Sequence, residues 1–226
     1  MYIVIAGGGL VGLALAEQLL AHAHDVVVID PDPTVTEYAH VELGAMVHTG
    51  SATDPRSLEA VGLRRADIAC AMMRSDADNL AFTLLARSFA VPNRLVRMRE
   101  HNFEEAYRLA GATTIASSVQ PLVDQLMVSI EHPEITSLMR LAKGNIDVFE
   151  VPVPEDGEIA GMTVEAISRR PGFPPTCNFV GVETASGVEI ARGTTEVPGG
   201  STLIMLAMEV DLDQIVTLLT QRAPRP

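Results

Sequence analysis

Short apolar runs alternate with amphipathic stretches through the first half of this chain. Tyr2 to Ala6 and Val26 to Asp30 are continuous runs bounded by turn residues, the pattern of strands buried on both faces. Between them Leu10, Leu13, Ala14, Leu20 and Ala21 give a helix one apolar side. The alternation continues with a helix over 35–43, a strand over 45–48, a helix over 55–61 and a strand over 67–73. A loop over 74–78 leads to a helix over 79–90, a strand over 94–98, a helix over 103–110 closed by Gly111, and a strand over 113–116. Asp54 suits a helix cap and Pro55 a first helical position. Strands and helices joined in turn by short links predict a Rossmann-like parallel sheet with helices on both faces, an α/β fold.

Val119, Leu122, Val123, Leu126, Met127 and Ile130 then recur at steps of three and four, a narrow apolar stripe on one helix. Such a stripe packs on its own sheet or on a neighbouring subunit, and the pattern leaves both open. His132-Pro133 ends the helix, and a link over 134–144 follows. Beyond it the rhythm changes. A strand over 148–153, a turn over 157–161 and a short helix over 163–167 precede a hairpin of strands 179–183 and 188–191. A strand over 201–208 and a helix over 212–219 close the chain. Two domains are expected: residues 1–134, the α/β domain with its crossover helix, and residues 135–226, a small α+β domain.

Composition narrows the function classes. Of the 226 residues 47% are hydrophobic and only 4% aromatic, so the cores must be aliphatic. No apolar run approaches the roughly 20 residues that span a bilayer, and the first strand begins at Tyr2, which leaves no room for a leader. Direct membrane insertion is not expected, and the natural setting is the cytosol. Cys70 and Cys177 lack metal-ligand spacing and suit small buried apolar positions. The net charge of −13 is spread over both halves with no basic stripe, which argues against nucleic acid and anionic lipid as partners.

Candidate chemistry concentrates at the amino end. Gly7, Gly9 and Gly12 fit G-x-G-x-x-G between a strand and a helix. There the first glycine permits the turn, the second lets backbone approach a diphosphate, and the third lets helix pack close on strand. The helix that opens at this turn offers free N–H groups and a partial positive charge to an anion. Asp30 ends the second strand at close to the spacing of about 20 residues expected for an acid that binds a ribose hydroxyl pair. It is followed by Pro31, Asp32 and Pro33, with no cation for a 2′-phosphate, so NAD(H) or an adenine nucleotide is expected over NADP. The 49–54 turn and the 74–78 loop belong to the same carboxyl edge of the sheet, where such folds bind ligands.

In order along the chain, G-G-G-L-V-G at Gly7–Gly12, V-V-V-I-D at Val26–Asp30, G-S-A-T-D at Gly50–Asp54, S-D-A-D-N at Ser75–Asn79, V-P-N at Val91–Asn93 and L-A-G-A at Leu109–Ala112 resemble the RCK/KTN family, the regulators of potassium conductance. The segments Val151–Val164 and Val197–Met205 resemble that family's second subdomain. The resemblance covers nearly the whole chain and implies a non-catalytic subunit. Such a subunit sits at the inner face of the membrane through a potassium transporter or channel, dimerises or forms a larger ring, and gates K⁺ flow by the nucleotide bound (NAD(H), ATP, ADP or AMP). It implies that Gly7, Gly8, Gly9, Leu10, Val11 and Gly12 surround the diphosphate, that Asp30 and Pro31 meet the ribose, and that Ser51, Ala52 and Thr53 lie beside adenine. Leu10 stands where many relatives carry an arginine that clamps phosphate; Arg74, Arg97 or Arg99 can supply that charge, or form ordinary surface ion pairs. Arg108 stands near a position where some relatives carry a cation-binding glutamate.

No catalytic or metal-binding residue is expected. Lys143, the one lysine, has no tyrosine four positions before it, and H-E-x-x-H, Cys-x-x-Cys and the P-loop are absent. Of His22, His24, His40, His48, His101 and His132, only His48 falls near the expected pocket. Two other readings remain: an NAD-dependent oxidoreductase whose second domain holds the substrate, and a sensor whose C-terminal domain binds another small molecule, such as a cyclic dinucleotide.

Overall fold

The structure is a computed structural model that describes residues 1–141 and 146–222. It divides into two compact units, Met1–Val119 and Gln120–Pro226.

The first unit alternates β1 (Tyr2–Ala6), α1 (Leu10–Ala21), β2 (Asp25–Asp30), α2 (Pro33–Val41), β3 (Met46–Thr49), α3 (Pro55–Ala60), β4 (Ile68–Ala71), α4 (Asp76–Ser88), β5 (Asn93–Met98), α5 (Glu104–Ala110) and β6 (Thr114–Ser117). The strands lie in the order β3-β2-β1-β4-β5-β6, and every pairing is parallel. Alternation along the strands sends Val4, Ala6, Val27 and Ile29 into one core with Leu58, Phe82 and Tyr107. Ile3, Ile5, Val26 and Val28 enter a second core on the other face with Ala16 and Ala39. Strand order reverses between β1 and β4, and the crevice beyond such a reversal is where open α/β sheets bind ligands.

Local chemistry sets the helix starts. Asp32 caps α2 through the Thr34 N–H at 2.9 Å, Asp54 caps α3 through the Arg56 N–H at 3.1 Å, and Ser75 caps α4 through the Asp78 N–H at 3.2 Å. Two expectations are corrected here. The helix after Asp30 begins at Pro33, not at residue 35, and the loop over 74–78 is half helix, because the Ser75 hydroxyl starts α4 at Asp76.

The second unit comprises α6 (Gln120–Glu131), β7 (Ser137–Leu141), β8 (Ile146–Pro152), β9 (Met162–Thr163), α7 (Val164–Ser168), β10 (Asn178–Thr184), β11 (Gly187–Ile190), β12 (Glu196–Val197), β13 (Thr202–Met208) and α8 (Leu212–Thr220). Five strands form an antiparallel sheet in the order β11-β10-β13-β8-β7, and β9 pairs with β12. Phe149, Val151, Leu203, Met205 and Ala207 face the core with Ile167, Ile215, Val216 and Leu219. The sequence-expected link over 134–144 is thus partly strand: β7 pairs with β8 as a sheet edge. Lys143 and Gly144 lie outside the described residues.

The units divide before α6, whereas the sequence placed the boundary after it. Val128, off the stripe, is 5% exposed and packs in the core of the second unit. The stripe itself, Val119, Leu122, Val123, Leu126, Met127 and Ile130, is 43–74% exposed.

Candidate nucleotide-binding site

The turn from β1 into α1 is built by exclusion of side chains. Gly7 has φ +99°, and a Cβ there would stand 2.9 Å from the Met73 nitrogen. A Cβ on Gly12 would stand 1.9 Å from the Gly7 carbonyl oxygen, so α1 rests directly on the turn. At Gly9, in contrast, a Cβ would meet nothing within 4 Å; the space above the turn is open. Gly9 occupies the cap position of α1 with no side-chain hydrogen bond, and the first turn of that helix holds no acid. The other uncapped helix of this unit, α5, carries Glu104 and Glu105 there. The amino end of α1 therefore keeps its unsatisfied N–H groups and its positive dipole end for an outside anion.

Asp30 connects the turn to the second strand. One carboxylate oxygen accepts the Gly8 N–H at 2.7 Å and the other the Asp32 N–H at 2.9 Å, and its carbonyl accepts the Gly50 N–H at 3.0 Å. Gly7, Pro31, Ser51, Ala52 and Thr53 line a cavity of about 150 Å³ together with Ile29, Met73 and Asp78. Five of the sequence-expected residues thus share one small cavity, at the carboxyl ends of β1, β2 and β3. The sequence reading did not include Ile29, Met73 and Asp78. The serine three positions before Asp78 was the usable signal, since it places Asp78 in the first turn of a helix at this edge.

The remaining candidates are distributed differently. Leu10 is 88% exposed and lines an apolar groove with Leu13, Val35 and Tyr38, which leaves the glycine turn without a cation of its own. Arg74 lines a separate cavity of about 420 Å³ with Ser75, Asp76 and Arg99, and its carbonyl accepts from Arg99 Nη1 at 2.9 Å. Arg97 lines neither cavity; its Nε is buried with no hydrogen-bond partner among the described residues. His48 stands beside Gly50, not in the cavity lining. Arg108 pairs with Glu104 and Glu105 on its own helix.

A buried polar clamp holds this edge. Asn79, fully buried, accepts the Met73 N–H at 2.9 Å and donates to the carbonyls of Met73 and Arg97, each at 3.1 Å. Asp76 accepts the N–H groups of Arg99 and Glu100 and the Tyr107 hydroxyl at 2.7 Å. Burial first, then the bond to and the charge of Asp76, push the Tyr107 hydroxyl well above its ordinary pKa. Asp76 and Asn79 thus complete the cap and tie the ends of β4 and β5 together. Among the described residues no three His, Cys, Asp or Glu side chains are grouped as metal ligands, and no helix is long and apolar enough to cross a membrane.

Residues 3–118 match the TrkA-N domain family. The Trk system potassium uptake protein TrkA homolog of Methanothermobacter thermautotrophicus is 32% identical over 168 residues, 74% of this chain and 77% of the relative. The chain belongs to the TrkA family of RCK proteins. The Trk system potassium uptake protein TrkA of Mycobacterium tuberculosis is 24% identical over 97% of this chain and 98% of its own length. Among solved structures, the GsuK channel bound to NAD superposes with a TM-score of 0.67 at 22% identity, over 99% of this chain and 40% of that one. That likeness extends the shared fold across both units of this TrkA-family chain.

Proposed function

We propose that this chain is a nucleotide-sensing regulatory subunit of a potassium uptake transporter or channel. It works in the cytoplasm, peripheral to the membrane through its partner, and is not an enzyme. The observation that carries this reading is the uncapped amino end of α1 over an open Gly9, beside a base-sized cavity and the Asp30 carboxylate. The ligand class is NAD(H) or another adenine nucleotide, in keeping with the NAD named for GsuK. Gly7 through Gly12 hold the diphosphate, Asp30 and Pro31 the ribose, Ser51 to Thr53 the base edge, and Arg74 and Arg97 contribute positive potential.

Regulation requires two assembly states that bind the ligand differently. The exposed stripe of α6 supplies a self-association surface for a homodimer or larger ring. Exposed Met139, Leu141, Val188 and Ile190, on outward positions of the antiparallel sheet, add a second apolar surface. Thermal unfolding with NAD, NADH, ATP, ADP and AMP side by side tests the ligand class. Ligand at 100-fold over its dissociation constant stabilises by about 2.7 kcal/mol, a shift of several degrees. No shift with any of the five at millimolar concentration would refute the reading, and consumption of bound NADH with a metabolite would favour the oxidoreductase instead.

A further inference from the structure

Helices α1 and α2 press small side chains onto the sheet, Gly12 and Ala16 from one and Thr36 and Ala39 from the other. Other apolar residues are left to the space between the two helices. Leu10, Leu13, Ala14 and Glu17 share one face of α1 at steps of three and four, and with Val35 and Tyr38 of α2 they line an open groove of about 410 Å³. Tyr38 is 51% exposed, and Val41, a turn further along α2, is 66% exposed. The charge around this groove has one sign. The chain holds no lysine or arginine before Arg56. Glu17 stands in the lining, and Asp32, Glu37 and Glu42 are exposed on or beside α2. Exposed carboxylates need no partner in water, but together they set the sign of the field over the groove.

An apolar groove under a negative field suits an apolar strip edged with positive charge. A second copy of this face would set acid against acid. We infer that the groove between α1 and α2 docks a basic amphipathic helix from the cytoplasmic part of the membrane subunit. Cytoplasmic segments next to membrane spans carry an excess of lysine and arginine. Apolar anchors one turn apart on such a helix enter the groove. Lysine stems lie along its walls and bring their ammonium groups to Glu17 and Glu37. The source of the helix rests on the regulatory-subunit reading above; the chemistry of the groove does not.

Fluorescence anisotropy of the full chain with a labelled leucine–lysine peptide of about 18 residues, leucines on one helical face, tests the chemistry. A peptide of equal composition with the leucines dispersed is the control. The one-faced peptide binds at least about 10-fold more tightly than the dispersed one, and added salt weakens it. Tyr38→Ser, and Glu17→Lys combined with Glu37→Lys, each weaken it by about 10-fold or more. Equal affinity for the two peptides would overturn the inference, and so would unchanged affinity in variants of wild-type urea midpoint. Photo-cross-linking from Tyr38→p-benzoylphenylalanine, in the cells that make the protein, tests the source. The expected adduct joins Tyr38 to a lysine- and arginine-rich segment of a potassium transporter or channel subunit, identified by mass spectrometry. An adduct with a second copy of this chain, or no adduct, would overturn the docking assignment even where nucleotides raise the unfolding temperature. An adduct with a membrane protein unrelated to potassium would overturn the assigned source together with the regulatory-subunit reading.

Discussion

Two alanine substitutions three residues apart separate the structural from the binding role of the glycine turn. At Gly12 a new Cβ would stand 1.9 Å from the Gly7 carbonyl oxygen. Contacts below 3.0 Å are essentially never seen for a real Cβ, so α1 must retreat from the turn by about 1 Å, and both partners are backbone. Overpacking of this kind costs roughly 1–3 kcal/mol, while alanine in a helix interior returns about 1 kcal/mol over glycine. Because the 1.9 Å approach is to backbone that cannot swing aside, the upper end of that cost applies and the net loss is about 2 kcal/mol, read as a fall in the urea midpoint at constant slope. At Gly9 the φ of −72° suits any residue and the Cβ space is empty. Stability of Gly9→Ala stays within about 1 kcal/mol of wild type, the cost being the poorer cap. Its methyl group nevertheless enters the space assigned to the diphosphate, and nucleotide affinity falls by 10-fold or more. A Gly9→Ala chain that binds NAD like wild type would refute the placement of the diphosphate. A Gly12→Ala chain of unchanged midpoint would refute the packing argument.

Other outcomes follow from the same geometry. Asp30→Ala removes acceptors for the Gly8 and Asp32 N–H groups and for the ribose; stability falls by about 1–2 kcal/mol and affinity by about 30-fold or more, and calorimetry showing unchanged binding would discard its role. Asn79→Ala leaves the N–H and carbonyl of Met73 and the carbonyl of Arg97 without their partner and lowers stability by about 2–4 kcal/mol, measured by urea denaturation. Leu126→Asp with Ile130→Asp on exposed α6 shifts light-scattering mass from oligomer toward monomer, whereas an unchanged mass would remove α6 from the interface. Burial pushes the Cys70 thiol up to about 12 from an ordinary 9.0, and burial with the Asp211 charge pushes Cys177 up to about 11. A raised thiol pKa means that the native state keeps its proton longer than the unfolded chain. The stability is whole below pH 9 and declines as pH rises toward 11–12. Cys70→Ala flattens that decline in urea midpoints, and an equal slope would contradict the assignment.

Much of the first unit was legible because its signals are local and redundant. Gly7 and Gly12 each answer a separate steric demand, and Asp30 terminates a run whose buried positions admit no other charge. The start of α4 was misplaced because Arg-Ser-Asp-Ala-Asp reads as polar loop, although Ser75 is a cap and Asp76 is buried under Tyr107, a contact between residues far apart in sequence. For the same reason Asp78 and Met73 were missed: they reach the cavity from α4 and the link that joins it to β4, which only the parallel sheet brings beside β1. Strand β7 escaped notice because an edge strand with exposed Met139 and Leu141 lacks the alternation that marks half-buried strands. The stripe of α6 was seen, but it is Val128, off the stripe, that joins the core of the second unit, which no periodicity reveals.

Diffraction from crystals of the full chain soaked with NAD tests the central claim most directly. The account predicts diphosphate density over Gly9 at the amino end of α1, with a ribose on the Asp30 carboxylate and adenine between Ala52 and Met73. Water alone at that turn, or a dinucleotide bound elsewhere on the chain, would contradict it.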